Sequence, residues 1–322
     1  MPDTKEFKTI DEQISILLER KLKFKNKKNA AKILRQYNYF DVINGFESIL
    51  LKKNVSEKEY ENVYFEDFRD LFFFDMKLKE HTLFQIFDVE AKLRTSIAHN
   101  FAAIYCKTPE DTLNYLNPAY YKAPPVTDVN MTNLFTSFDL FRTTRYWPNG
   151  TIRSRAFLDD LKRDKAYVMQ YTSPPFWVTI KALPFGSLYY TFVFLDDVIK
   201  EKVLKDFGLE FANAAAFEQA LFVLKEMRNQ CAHLELITRF KLKSKGGALN
   251  NFNDIRELAR LGNGDLSYLD ILKILKIFGS IGNIKRQIGN FYFIMFLKGR
   301  KRIADKALSK MGRKKLSVWM KL

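Results

Sequence analysis

The sequence predicts an all-α protein. Apolar residues recur at helical spacing along most of the 322-residue chain, and no stretch of useful length alternates apolar with polar residues as a strand would. The segment from Tyr64 to Tyr105 contains neither glycine nor proline. Since 47% of the residues are hydrophobic, the chain can bury a large core, and a disordered or low-complexity chain is excluded.

The N-terminal helical half is predicted to span residues 1–106. It opens with two short amphipathic helices, at 10–20 and 29–37, and continues with the long helical pattern of 64–105, in which a break near Asp75 is allowed. Residues 107–150 carry five of the nine prolines among asparagines and threonines, so they are predicted to form a loop-rich insertion.

A second helical half is predicted over residues 151–244, with helices near 187–205 and 212–233. A polar stretch rich in Gly and Asn, at 245–264, then leads to a last pair of helices, predicted near 266–298 and 300–320. These last segments make residues 245–322 a basic C-terminal region.

The chain is strongly basic. Its 53 Lys and Arg residues against 37 Asp and Glu give a net charge of +16, which predicts attraction to polyanions. The charge is concentrated at residues 20–28, with six basic residues and no acid, and at 299–322, with nine basic residues and one acid. Solvated helix faces or a solubility tail are the alternative interpretation, and a membrane-surface helix is a third option for the C-terminal segment. The residues expected to contact the phosphates of such a polyanion are Lys23, Lys25, Lys27, Lys28, Arg300, Lys301, Arg302, Arg313, Lys314 and Lys315.

Several classes of protein are excluded because the sequence lacks the motifs that they require. Two cysteines and three histidines, with no CxxC, cannot build a disulfide framework or a zinc finger. The sequence contains no GxxxxGK[ST], GxGxxG or HExxH pattern, so we expect neither a cofactor nor a metal. No apolar run approaches about 18 residues and no secretory signal is visible, so we expect a soluble cytoplasmic protein without membrane contact.

An Arg-x4-His pattern occurs twice. Residues 228–233 read RNQCAH and residues 94–99 read RTSIAH, which together use two of the three histidines. At about 100° per residue, Arg228 lies in the middle of an apolar stripe, and an unpaired charge in such a place is expensive. The residues of this stripe are Phe217, Ala220, Leu221, Leu224 and Cys231.

The two copies differ in their partners. Glu90 precedes Arg94 by four residues and can pair with it on the same helix face, whereas Leu224 occupies that place before Arg228. Arg228 must therefore take a partner from another segment or be held ready for a phosphate. This difference favours a functional role for Arg228 and a structural one for the Glu90–Arg94 pair.

Arginine and histidine together suit the cleavage of RNA without a metal. His233 can move protons near neutral pH, and the Arg228 guanidinium can stabilise the charge that gathers on phosphorus when a ribose 2′-hydroxyl attacks. Asn229 could orient the histidine or hold a phosphate oxygen. Single-stranded RNA is the expected substrate, because a regular duplex resists the in-line geometry. Cys231 as a nucleophile is the weaker interpretation, since a small residue on the core side of the helix explains it.

The chain resembles the Abi-like abortive-infection proteins of the AbiD/AbiF type, which belong to the HEPN superfamily. The stretches that carry the resemblance are YNYFDVINGF (37–46), FEDFRDLFFFDMKLKEHTLFQIFDVEAKLR (65–94), PPFWVTIKALPFGSL (174–188) and MRNQCAHLELITRF (227–240). It implies a HEPN-type helical bundle and a metal-independent endoribonuclease used in phage defence or as a toxin. The chain departs from the family after His233, where LELITRF replaces the usual basic run that contains Trp.

The resemblance also implies site residues and partners. The catalytic motif of the family is matched by Arg228, Asn229 and His233. A helix that recurs in the family and ends in a Glu-x-x-x-Arg pattern is matched by Glu90 and Arg94. A second motif would come from Arg94 and His99 or from another copy of the chain in a homodimer. RNA is the implied partner, as substrate and as a small non-coding RNA. The alternatives are a catalytically silent module that holds a guide or antitoxin RNA, and a scaffold for a protein partner.

Overall fold

A single 41-residue helix, α4 (Phe65–Tyr105), is the longest element of the computed structural model, which describes residues 6–52, 54, 56–243 and 252–322. At 1.5 Å per residue it is about 60 Å long. The helix runs through Asp75 without a break, since it contains neither proline nor glycine. The allowed break near Asp75 is therefore absent.

The first two helices begin at clear side-chain caps. The Thr9 side chain and Glu12 form a reciprocal capping box at the start of the first helix, and the Asn26 side chain accepts from the Asn29 backbone N–H at the start of the second. The elements are α1 (Ile10–Glu19), α2 (Lys27–Gln36), a π-helical turn (Phe40–Asn44) and α3 (Glu47–Leu50).

The segment after α4 consists of short pieces joined by loops, as its prolines predict. Two short antiparallel strands pair within it, which the sequence did not predict. The elements are 3₁₀ turns at Asn114–Leu116, Pro118–Tyr120 and Asp139–Phe141, α5 (Val129–Thr136), β1 (Arg145–Tyr146) and β2 (Ile152–Ser154).

Helices account for most of the remaining chain, which confirms the all-α class. Before residue 244 these are α6 (Phe157–Asp164), α7 (Ala166–Met169), α8 (Phe176–Thr179), α9 (Phe185–Phe194), α10 (Asp197–Asp206) and α11 (Ala214–Ala232), with 3₁₀ turns at Ile180–Ala182, Phe211–Asn213 and Ile237–Arg239. After it come α12 (Asn253–Leu258), α13 (Tyr268–Phe278), α14 (Gly282–Leu297), α15 (Lys301–Met311) and α16 (Leu316–Met320).

The chain divides into two compact units, each built from separate segments. The first comprises residues 1–84, 228–243 and 265–322, and the second comprises 85–227 and 244–264. The division into four parts expected from the sequence stays a prediction. In the ranges that the structure describes, no helix combines the length and the apolar character that crossing a bilayer requires.

A close backbone approach in the first unit requires Gly45. A Cβ atom at this position would lie 2.7 Å from Leu236 Cδ1 and within contact distance of the Asp41 carbonyl oxygen, which is backbone and cannot yield easily. The π-helical turn and the segment after His233 are thus packed directly on each other.

We expect Gly45→Ala to destabilise the protein by about 1–3 kcal/mol, the usual cost of overpacking a core. Chemical unfolding measures the change. Gly262→Ala is the matched control, because a Cβ there meets no atom within 4 Å and its backbone is not left-handed. Equal stability of the two variants would contradict the packing described.

Candidate functional site

The apolar stripe predicted around Arg228 is buried. Its five residues, from Phe217 to Cys231, are at most 1% exposed. Burial raises the pKa of the Cys231 thiol to about 12, and the nearby Asp75 carboxylate adds to that shift. Cys231 is therefore a protonated core residue at neutral pH, as the sequence favoured.

Arg228 is partly buried near the end of α11. Its Nε is buried, and within the described ranges no hydrogen bond or ion pair reaches its guanidinium. The partly exposed guanidinium therefore has no protein acceptor among the described residues, and a phosphate with two oxygens fits such a group well.

His233 lies exposed at the C-terminal cap of α11. Its backbone N–H donates to the Asn229 carbonyl oxygen at 2.9 Å, so the helical bonding extends to the histidine. Leu234 follows with φ +59°, and the N–H groups of Leu234 and Glu235 donate to the carbonyl oxygens of Cys231 and Gln230. This pair of bonds is a Schellman cap, which usually has glycine at the left-handed position. A leucine there costs about 1–2 kcal/mol, so other contacts must hold the turn.

A buried ion pair supplies those contacts. Lys79 Nζ donates to the Leu234 carbonyl oxygen at 2.8 Å and lies 3.0 Å from the Asp75 carboxylate. The other Asp75 oxygen accepts from the Thr238 backbone N–H at 3.2 Å. Burial raises the pKa of Asp75, and the Lys79 ammonium opposes that rise. The pair thus fixes the chain on the C-terminal side of His233 through two backbone contacts.

Sequence reasoning missed Lys79. A signal was present, because Asp75 and Lys79 are four residues apart on a helix and a charged pair at this spacing shares one face. That this face is buried, and that it reaches residues 234–238, could not be read from the spacing.

The second Arg-x4-His copy is arranged differently. Arg94 pairs with Glu90, as its spacing predicts, and also donates to the Leu183 carbonyl oxygen at 2.8 Å. Glu90 is 7% exposed, whereas His99 lies exposed on another side of α4. His99 lines an open cavity of about 610 Å³ together with Lys92, Thr95, Ser96 and Asp206. The Arg94 Nη2 atom thus has protein partners, whereas the terminal guanidinium nitrogens of Arg228 have none among the described residues.

We expect Arg94→Met to lower stability while leaving the RNA cleavage that the resemblance implies nearly unchanged per folded molecule. Removing the guanidinium leaves the buried Glu90 carboxylate without its partner, which costs up to about 3–5 kcal/mol. Urea unfolding and a rate normalised to folded protein separate the two effects. An unchanged midpoint with lost activity would instead place Arg94 in the catalytic site.

Basic residues from both ends of the chain meet at one ring. Lys23 Nζ lies 5.8 Å, Lys25 Nζ 5.4 Å and the Arg300 guanidinium 4.8 Å from the centre of the Tyr64 ring. Arg300 also pairs with Asp67 at 3.2 Å, so part of its role is structural. The two basic clusters of the sequence therefore share a surface in the first unit.

The other basic residues predicted to contact RNA stay exposed to solvent. They are Lys27, Lys28, Lys301, Arg302, Arg313, Lys314 and Lys315. Trp319, in contrast, is fully buried and donates from its indole to the Arg313 carbonyl oxygen at 2.8 Å. The C-terminal helix therefore does not present this tryptophan to a membrane surface.

The comparison with protein families agrees with the resemblance at the coarser level. The family model described as Abi-like protein matches residues 32–237, which is more than half of the chain and includes both Arg-x4-His copies. No curated protein and no solved structure matches the chain. The chain belongs to the Abi-like protein family.

Proposed function

We propose that this protein is a HEPN-type endoribonuclease of the AbiD/AbiF type that cleaves single-stranded RNA without a metal. Membership of the Abi-like family suggests abortive infection, a form of phage defence, as the setting in which it acts. The supporting observation is the contrast between the two arginines at their terminal nitrogens, since Nε is buried without a partner in both. Arg94 Nη2 donates to Glu90 and to the Leu183 carbonyl oxygen, whereas no described residue accepts from Arg228, five residues before the exposed His233.

The proposed step is transesterification within the RNA chain. The ribose 2′-oxygen loses its proton and forms a bond to the adjacent phosphorus, while the bond from phosphorus to the 5′-oxygen of the next nucleotide breaks and that oxygen gains a proton. The products end in a 2′,3′-cyclic phosphate and a 5′-hydroxyl. His233 transfers one of these protons, and Arg228 stabilises the charge on the phosphorane oxygens. Asn229, one residue after Arg228, is a donor for a phosphate oxygen or for the imidazole.

One histidine serves one of the two proton transfers, so a second proton-transfer group is required. His99 is the candidate within the same chain, but the guanidinium of its Arg-x4-His copy already binds Glu90 and the Leu183 carbonyl oxygen and is not available to the same phosphate. We therefore propose that the Arg228 and His233 of a second copy of the chain provide it in a homodimer. RNA is the proposed partner of this enzyme, both as its substrate and as a small non-coding RNA that regulates it.

The test is incubation of the purified protein with single-stranded RNA in excess EDTA. We expect cleavage products that carry 2′,3′-cyclic phosphate ends. RNA binding without cleavage would contradict the nuclease and favour the module that holds a guide or antitoxin RNA. Neither binding nor cleavage would contradict both and favour a scaffold for a protein partner.

A further inference from the structure

The hairpin formed by β1 and β2 presents aromatic side chains to solvent. Arg145 pairs with Ser154 and Tyr146 with Ile152, and the turn between the strands is closed by the Trp147 N–H, which donates to the Thr151 carbonyl oxygen at 2.7 Å. Large side chains remain exposed along it, with Tyr146 at 62%, Trp147 at 50% and Ile152 at 45%. Exposed aromatic side chains grouped in this way indicate a binding surface rather than a core.

The hairpin is also basic. Residues 145–155 contain three arginines, Arg145, Arg153 and Arg155, and no acidic residue. Arg145 and Arg153 are exposed, and neither forms an ion pair with any described part of the chain. The Arg153 guanidinium lies 4.8 Å from the centre of the Trp147 ring, a cation–π distance that covers one face of the indole.

The base of the hairpin is fixed while its tip is open. The Ala156 N–H donates to Thr144 Oγ1 at 3.0 Å and the Phe157 N–H to the Arg142 carbonyl oxygen at 3.1 Å, both at the start of α6. At the tip, Gly150 adopts φ +83°, and a Cβ there would meet no atom within 4 Å. The hairpin is therefore held to α6 at its base, and no protein atom lies against its tip at Gly150.

We propose that the hairpin binds unpaired bases of single-stranded RNA, with Trp147 stacking on a base and Arg145 and Arg153 binding the flanking phosphates. An exposed indole next to free guanidinium groups supplies both interactions that sequence-tolerant single-strand binding requires. The RNA is that of the proposed nuclease function, and the hairpin adds the place where its bases are held. None of these residues belongs to the two basic clusters that the sequence nominated.

The experiment measures binding of labelled oligouridine to the full-length His233→Ala protein, in which the RNA is not cut. We expect Trp147→Ala to weaken binding by about tenfold to a hundredfold, the effect of losing one stacked base, while Trp147→Phe retains most of the affinity. Trp177→Ala is the matched control, because Trp177 is exposed to a similar extent, 57%, but lies in α8, outside the hairpin. Equal affinity of the Trp147→Ala and Trp177→Ala proteins would overturn the proposal.

Two further oligonucleotides and one protein variant identify what the hairpin recognises. An abasic strand with the same number of phosphates should bind as weakly to the unsubstituted hairpin as oligouridine binds to Trp147→Ala. Arg153→Gln should lower the slope of log affinity against log salt by about 0.7 without removing the preference for bases. Tighter binding of oligodeoxythymidine than of oligouridine would overturn the assignment to RNA.

Failure of this proposal can be told apart from failure of the nuclease. A wild-type protein that cleaves RNA while Trp147→Ala binds normally would refute the hairpin and leave the nuclease standing. Base-dependent binding through Trp147 by a wild-type protein that cleaves nothing would support the hairpin and refute the nuclease.

Discussion

The His233→Ala protein is expected to fold normally and to cleave single-stranded RNA about 10²–10⁴-fold more slowly than the wild type, the usual contribution of one general acid or base. The side chain is exposed, so its removal leaves no cavity, and the turn that holds it uses only its backbone. The rate of product formation in EDTA, beside a thermal melt, measures both parts of the prediction.

The matched control for this variant is His81→Ala, which removes the one histidine that lies outside both Arg-x4-His copies. We expect its cleavage rate to equal that of the wild type. If His233→Ala cleaved RNA at the wild-type rate, the imidazole would have no part in proton transfer, and the site would have to be sought elsewhere.

Lys79→Met is expected to destabilise the protein by about 3–5 kcal/mol, because it leaves the Asp75 carboxylate buried without a partner. It also removes the donor to the Leu234 carbonyl oxygen, so the strained turn beside His233 loses one of its supports. We therefore expect a lower cleavage rate per folded molecule as well. Denaturant unfolding and a normalised cleavage assay measure the two losses separately.

The double variant Asp75→Asn/Lys79→Met is the control for this assignment. It removes both charges while keeping an oxygen that can accept from the Thr238 N–H, so we expect it to be more stable than Lys79→Met alone. A double variant less stable than the single one would show that the two charges do not act as a pair.

The pH dependence of Lys79→Met follows from Asp75. Burial raises the pKa of this carboxyl, and loss of the Lys79 ammonium raises it further. A raised pKa in the folded state means that the fold binds the proton more tightly than the unfolded chain does, so stability is gained as the pH falls through that pKa. The stability difference between Lys79→Met and the wild type should therefore narrow towards acid pH. A difference that widened there would contradict a buried, unpartnered carboxylate.

Local patterns were sufficient to predict the all-α class and several helices, but each helical segment predicted at 187–205, 266–298 and 300–320 consists of two helices. Helical spacing predicted α1, α2 and α11 to within a few residues, and the absence of glycine and proline predicted the extent of α4. The Glu90–Arg94 pair was also predictable, since both residues lie on one helix and their spacing alone brings them together.

Contacts between distant segments were not predictable. The approach of Gly45 to Leu236 and the bond from Lys79 to Leu234 each join residues far apart in sequence, and no local period encodes such a pairing. The β1–β2 hairpin was missed for another reason: its strands are two and three residues long, too short to show alternation. The turn at Leu234 was not predictable, because the left-handed backbone of such a turn is usually marked by glycine and not by leucine.

The proposed nuclease depends on attack by the RNA's own 2′-hydroxyl at a site formed by Arg228 and His233. The most direct measurement compares one RNA with the same strand carrying a single 2′-deoxyribose at the mapped cleavage position, both incubated with the wild-type protein in EDTA. We predict that the deoxy-substituted linkage resists cleavage while other susceptible linkages in that strand are still cut. Cleavage of the deoxy linkage at the same rate would contradict the proposed mechanism.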